Sequence, residues 1–137
     1  MPLTPSQIVL EKMLANDPFS QWLGIEVETL EAGYCELRMK VRPEMCNGFG
    51  IAHGGIAFSL ADSALAFAAN SMGQHALSLD TSIQFMAPIK VDTTIRATTE
   101  QLSQTKRTAF YAIRIEYEQQ LVAYFKGTVF LKESSWE

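Results

Sequence analysis

The sequence predicts an α+β fold in which an antiparallel β-sheet wraps around one long central α-helix. Three observations carry that expectation. The stretch Ile56–Ala69 is almost wholly Ala, Leu, Phe and Ile, so a helix there is apolar on nearly every side and must be enclosed. Six segments read as strands, two before that stretch and four after it. Too few other helices remain to cover a parallel sheet on both faces, which leaves the antiparallel arrangement.

The elements follow in chain order. Thr4-Pro5-Ser6-Gln7 is a helix start, with Thr4 as cap, Pro5 at the first helical position and Gln7 completing a capping box. That helix should stop near Asn16-Asp17-Pro18, and a short second turn over Phe19–Leu23 should end at Gly24. The period then changes. Cys35, Leu37, Met39 and Val41 alternate with Glu36, Arg38 and Lys40, the mark of a strand with one buried face. Leu77, Leu79, Ile83 and Phe85 alternate in the same way with Ser78, Asp80, Ser82 and Gln84, as do Ala109, Tyr111, Ile113, Ile115 and Tyr117 with their neighbours. Leu121–Leu131 is apolar on both sides and reads as a more central strand. Ile25–Leu30 and Thr93–Leu102 carry weaker strand patterns. The long helix is expected over Gly55–Ser71, ending near Gly73. No repeat, low-complexity tract or linker divides the chain, so one domain is expected over residues 1–137.

Composition excludes several classes of function. A net charge of −4 gives no general reason to expect nucleic acid or an anionic membrane as partner. Cys35 and Cys46 are too few for a disulfide framework and are expected as free thiols in a reducing compartment. The opening Met-Pro-Leu-Thr-Pro has neither the basic nor the apolar region of a signal peptide. The Ile56–Ala69 run is too short to span a bilayer and carries Asp62 at its centre. A cytoplasmic protein is the expectation. His75 has no companion at metal-ligand spacing, so neither metal nor cofactor is predicted. Ser59 lacks the flanking glycines of a nucleophile elbow, and Gly48-Phe49-Gly50 does not complete a dinucleotide fingerprint.

Asp62 is the residue that asks for a function. A carboxylate in so apolar a stretch is costly without a partner, and no Lys or Arg lies within a helical turn of it; only Ser59 and Ser63 are near. The surrounding string, Asn47-Gly48, then His53-Gly54-Gly55, then Ser59-Leu60-Ala61-Asp62-Ser63-Ala64, resembles the PaaI-type (phenylacetic-acid-degradation) acyl-CoA thioesterases of the hotdog fold. Leu23-Gly24-Ile25 and Ile83-Gln84-Phe85-Met86-Ala87-Pro88 extend the resemblance over most of the chain. One departure is Val91-Asp92, where family members often carry Gly-Asp.

The resemblance implies hydrolysis of an acyl-CoA, with an aryl or hydroxyphenylacetyl acyl group and no cofactor. It assigns the oxyanion donor to the Gly54 N–H and the base or nucleophile to Asp62, with His53 orienting the thioester or fixing the loop; Asn47 is placed to hold the water or the carbonyl, although Asn47-Gly48 also reads as a simple turn. The residue chemistry agrees. Gly54 and Gly55 stand at a helix start, where N–H groups lack intrahelical partners and the dipole favours negative charge. Such donors bind the anionic oxygen of an attacked thioester better than its ground state. Asp62 would either attack the carbonyl, giving an anhydride, or activate a water. Ser63 and Ser78 are candidates for hydrogen bonds near the base, and Lys90, Lys106 and Arg107 for the coenzyme A phosphates. Phe19, Trp22, Phe58 and Phe67 are candidates for an acyl pocket. Two rivals stand beside this reading: a same-fold acyl-thioester hydratase or dehydratase using His53 and Asp62 as an acid–base pair, and a non-catalytic acyl-CoA binder.

Spacing adds one further inference. Gly54 and Asp62 are eight residues apart, about 12 Å along a helix, whereas a reacting carbonyl must lie about 3 Å from its donor and close to its nucleophile. Two antiparallel helices at a two-fold interface solve this, each lending its Asp62 to the other's glycine turn. A homodimer is therefore expected, with further assembly to a homotetramer.

Overall fold

In the computed structural model, which describes residues 2–137, the first expectation to be met is the capping box. The Thr4 N–H donates to Gln7 Oε1 at 2.9 Å and the Gln7 N–H to Thr4 Oγ1 at 3.2 Å. The helix that follows is wider than an α-helix, a π-helix over Gln7–Met13 that tightens to a 3-10 turn over Leu14–Asn16. Helix α1 (Pro18–Leu23) is capped by Asp17 and ends at Gly24, whose φ of 75° is the left-handed conformation that glycine tolerates.

Six strands make one antiparallel sheet: β1 (Glu26–Glu31), β2 (Tyr34–Lys40), β3 (Gln74–Phe85), β4 (Thr94–Gln104), β5 (Thr108–Tyr117) and β6 (Gln120–Ser135). Their order is β1-β2-β4-β5-β6-β3. Helix α2 (Gly54–Asn70) carries the chain from β2 to the far edge, where β3 pairs with β6 alone. β6 lies between β5 and β3, as its apolar faces suggested. Where the sequence shows Val91-Asp92, Asp92 takes a φ of 66° and donates its N–H to the Val41 carbonyl at 2.8 Å.

α2 lies close against the sheet because the sheet has a gap for it. A Cβ at Gly127 of β6 would stand 2.7 Å from Leu65 Cδ2, so any larger residue would force the Leu65 side chain or the helix to shift. Leu60, Ala61, Ala64, Leu65, Ala68 and Ala69 are fully buried against inner-face residues such as Leu37, Ile95, Ile113 and Phe125. Inside that core Cys35 and Thr99 satisfy each other, the Cys35 N–H donating to Thr99 Oγ1 and that hydroxyl to the Cys35 carbonyl. Burial pushes the Cys35 thiol up to about 12. At its far end α2 is held by Asn70. The Asn70 amide donates to the Ala66 and Ala76 carbonyls and accepts from the Ala76 N–H and the Trp136 indole.

β3 does not follow the expected alternation. Leu77 and Leu79 are 57% and 61% exposed. The register slips between Ser78 and Asp80, leaving Leu79 as an extra residue. Before the slip Ala76 and Ser78 oppose the buried Leu131 and Val129, so Leu77 faces outward. After it Thr81, Ile83 and Phe85 oppose Gly127, Phe125 and Ala123 and face inward. Leu77 and Phe85, grouped on one face by their spacing, lie on opposite faces.

Among the described residues, no helix is long and apolar enough to cross a membrane. Nor do three or more His, Cys, Asp or Glu groups converge as metal ligands.

Candidate active site

Between β2 and α2 the chain makes a tight hairpin. Cys46 bridges to Ala52 and Ile51 to Lys90, while the Asn47 N–H donates to the Ile51 carbonyl at 2.8 Å and the Gly50 N–H to the Asn47 carbonyl at 3.0 Å. Asn47 Oδ1 accepts from the Phe49 and Ile51 N–H groups at 2.9 and 3.4 Å. That commits the amide oxygen to the loop and leaves the NH2 end as the donor available to a ligand.

His53 then caps α2. Its carbonyl accepts from the Ile56 N–H at 2.8 Å and its Nδ1 from the Gly55 N–H at 3.4 Å. A ring whose Nδ1 accepts carries its proton on Nε2, so the free edge of His53 is a donor. The Gly54 N–H, at the first helical position, has no acceptor among the described residues. Three donors thus gather at one helix start: the Gly54 N–H, His53 Nε2–H and the Asn47 NH2.

They line a cleft of about 370 Å³ whose other walls are Ile51, Ala52, Ala57, Phe85, Met86, Ala87, Pro88 and Ile89. A Cβ on Gly54 would stand 3.1 Å from Phe85 Cζ. Gly54 is absent from the residues with positive φ, so backbone conformation does not call for glycine there; a side chain would press on the ring of Phe85.

Asp62 is not in the cleft. It is half-buried on α2 and has neither a hydrogen-bond partner nor a cation in contact among the described residues. Burial raises its carboxyl above the usual range. The donors and the carboxylate therefore lie apart, as the helical spacing required.

The remaining candidates divide. Gly55 is outside the cleft lining, and its N–H is taken by His53. Lys90 is exposed and bridges to Ile51 through its backbone, next to the cleft but outside its lining. Ser63 Oγ lies 2.9 Å from Ser20 Oγ, which donates to Asp17 at 2.6 Å, so Ser63 ties α2 to α1 instead of facing the cleft. Ser78 sits on β3 opposite Val129, outside the cleft lining. Lys106 and Arg107 form the β4–β5 turn. The Arg107 carbonyl accepts from the Leu131 N–H, and Leu131 pairs with Ala76 at the start of β3, whereas the cleft uses the end of that strand. None of the four proposed acyl-pocket aromatics lines the cleft. Phe19 stacks on Trp22 at the surface, Phe58 packs edge-on against Phe125, and Phe67 is core. The aromatic wall is Phe85, whose contact with Gly54 depends on the bulge in β3.

An antiparallel sheet curled round one apolar helix, with a donor-lined cleft at that helix's start, defines the hotdog class of α+β enzymes. The thioesterase superfamily model matches residues 49–124; the chain belongs to that superfamily and is an enzyme of the thioester-hydrolase class. It is 39% identical to acyl-coenzyme A thioesterase PaaI of Escherichia coli K12 over 84% of this chain and 83% of that one. It is 32% identical to human acyl-coenzyme A thioesterase 13 over 77% of each. The structure of the E. coli PaaI protein from the phenylacetic acid degradation operon superposes with a TM-score of 0.91, covering 96% of both chains at 33% identity.

Proposed function

We propose that this protein hydrolyses acyl-CoA thioesters, with an aryl or hydroxyphenylacetyl acyl group, at a site assembled from two copies of the chain. The observation that carries the proposal is the separation just described: a cleft with three donors and no base, and a raised, unpartnered carboxylate with no donors beside it. Each half lacks what the other has. β3 supports the pairing, because its outer edge has no strand partner and it exposes Leu79, Phe85 and Met86 along its length and exit. Antiparallel pairing of two such edges sets the start of one β3 beside the end of the other. Each α2 then runs beside its counterpart, and the partner's Lys106 and Arg107 come towards the side where the cleft opens, with Lys90 already there. Outward-facing Leu77, with Leu102 and Phe110 also exposed, offers a second apolar contact through which dimers would form a tetramer.

The chemistry follows from that assembly. The thioester carbonyl oxygen accepts from the Gly54 N–H, with His53 Nε2–H and the Asn47 NH2 orienting it. The partner's Asp62 takes a proton from water as the oxygen adds to the carbonyl carbon. The tetrahedral oxyanion is held by Gly54, and collapse expels coenzyme A, which recovers the proton from Asp62. Direct attack by Asp62 would break the C–S bond, release the coenzyme A thiolate and give an anhydride that water then opens to the free acid and the Asp62 carboxylate.

The test is complementation. Asp62→Asn should lose about 10²–10⁴-fold in turnover, and His53→Ala or Asn47→Ala supplies the loop-side lesion. When two inactive variants are unfolded and refolded together in equal amounts, about half the dimers are mixed, and each mixed dimer has one site free of lesions. Recovery towards roughly a quarter of wild-type activity is expected. Verified mixed dimers that stay inactive would place both residues in one site per chain. Release of free thiol from an acyl-CoA panel separates hydrolysis from hydration and from simple binding.

A further inference from the structure

The tip of the Asn47–Ile51 hairpin carries a side chain that nothing in its own chain explains. Phe49 is 89% exposed, more than any other large apolar residue among those described. Single exposed apolar side chains are ordinary on protein surfaces, but this one is held out by a fixed scaffold. Its N–H is bound by Asn47 Oδ1, the loop is closed by the Asn47 and Gly50 N–H bonds, and the Cys46–Ala52 and Ile51–Lys90 bridges anchor both limbs. The preceding residue is equally unexplained. Gly48 does not have a positive φ, and a Cβ built on it would meet nothing within 4 Å. Neither backbone strain nor internal crowding requires glycine there. A bare backbone beside an exposed ring suits a body that arrives from outside the chain.

The neighbouring cleft indicates what arrives. Asn47 and Ile51, which flank the tip, both line it, and two further apolar side chains at the same cleft, Phe85 and Met86, are 55% and 49% exposed. No Lys or Arg is among the lining residues, so the phosphates of a coenzyme A have no counter-charge within it. The cleft, and the exposed ring held between two of its lining residues along the chain, suit the apolar end of a thioester.

We infer that Phe49 is a specificity-determining residue: its ring closes over the acyl group of the thioester bound at Gly54 and favours aromatic acyl groups over short ones. This rests on the acyl-CoA reading of the cleft, and its test does not need turnover. Two non-hydrolysable thioethers, S-phenacyl-CoA and S-acetonyl-CoA, keep the carbonyl and differ only in phenyl against methyl. Their affinities are measured by calorimetry for the wild type and for Phe49→Ala. One aromatic contact corresponds to about a three- to tenfold change in affinity. The preference for phenacyl over acetonyl should fall by that factor in Phe49→Ala, with acetonyl affinity, melting temperature and solution mass unchanged. An unchanged preference overturns the assignment, as does equal weakening of both ligands, which would put Phe49 on the coenzyme A portion. A fall in solution mass overturns it too, by making Phe49 an interface residue, and so does failure of both thioethers to bind the wild type. If both bind and the preference falls, yet no acyl-CoA is hydrolysed, the hydrolase reading fails and the role of Phe49 stands.

Discussion

Asn70 closes the far end of α2, and its replacement by alanine tests whether that junction holds the helix against the sheet. The side chain is 3% exposed, and its four hydrogen bonds run at 2.8, 3.2, 2.9 and 3.0 Å to Ala66, Ala76 twice, and Trp136. Each neutral bond contributes roughly 1 kcal/mol net, and a buried donor left without a partner costs about 1–3 kcal/mol. Alanine strips the Ala76 N–H and the Trp136 indole of their shared acceptor, so the loss should be about 2–4 kcal/mol. Unfolding entropy scales at about 2.1 cal/mol/K per residue. For 137 residues that loss lowers Tm by roughly 7–14 °C. Thermal unfolding followed by circular dichroism and tryptophan fluorescence, at one protein concentration because assembly shifts Tm, reads the change. Asn70→Asp keeps the shared acceptor but sets a second carboxylate oxygen against two carbonyl oxygens, and should be destabilised more at neutral than at acid pH. A fall of under about 2 °C for Asn70→Ala would refute the reasoning, since so small a shift corresponds to less than one net hydrogen bond.

Three further outcomes are expected. Gly127→Ala places a Cβ 2.7 Å from Leu65 Cδ2 and 3.2 Å from Phe125 Cε1; it should cost about 1–3 kcal/mol in denaturant unfolding, and Leu65→Ala in the same chain should recover part of that loss if the clash is the cause. In the β5–β6 turn Glu118 and Gln119 have φ of 47° and 71°, so replacing the pair with Asn-Gly should raise stability by about 1 kcal/mol, and no gain would mean the turn is unstrained. Burial holds the Asp62 carboxyl above its unfolded value, so the native state keeps that proton to higher pH than the unfolded chain does. Wild-type stability is therefore lost as pH rises from about 4 through the native pKa and is not regained at neutrality. Asp62→Asn should match the wild type in acid and exceed it at neutral pH in Tm measured across that range; an Asn variant less stable at pH 7 would reveal a stabilising partner for the carboxylate.

The helix and its wrapping were legible because an all-round apolar run leaves a chain of this size few alternatives, and β2 and β5 because their alternation is unbroken. The capping box at Thr4 is local, and its bonds formed as the residue types require. The distance between Gly54 and Asp62 was legible too, because helical rise is nearly constant. What sequence reasoning missed depends on partners far apart in the chain. Ser63 meets Ser20 across 43 residues, and Phe85 covers Gly54 only after β3 has docked on β6. Alternation counts also cannot register an inserted residue, so the outward turn of Leu77 was invisible. The one available signal for Phe85 was its place in the Ile83–Pro88 string, which marked it as shared with a family without saying what it touches.

The bulge at Leu79 divides β3 into two lengths with opposite facing. On one side of it, a substitution at Leu77 alters only the outer surface; on the other, a substitution at Phe85 alters the cleft wall and the room above Gly54. Substrate fit and the outer surface can therefore drift independently although a single strand encodes both. Deleting Leu79 would restore strict alternation and couple them, so that one residue of chain length, with no chemistry of its own, sets how freely this molecule can be remodelled.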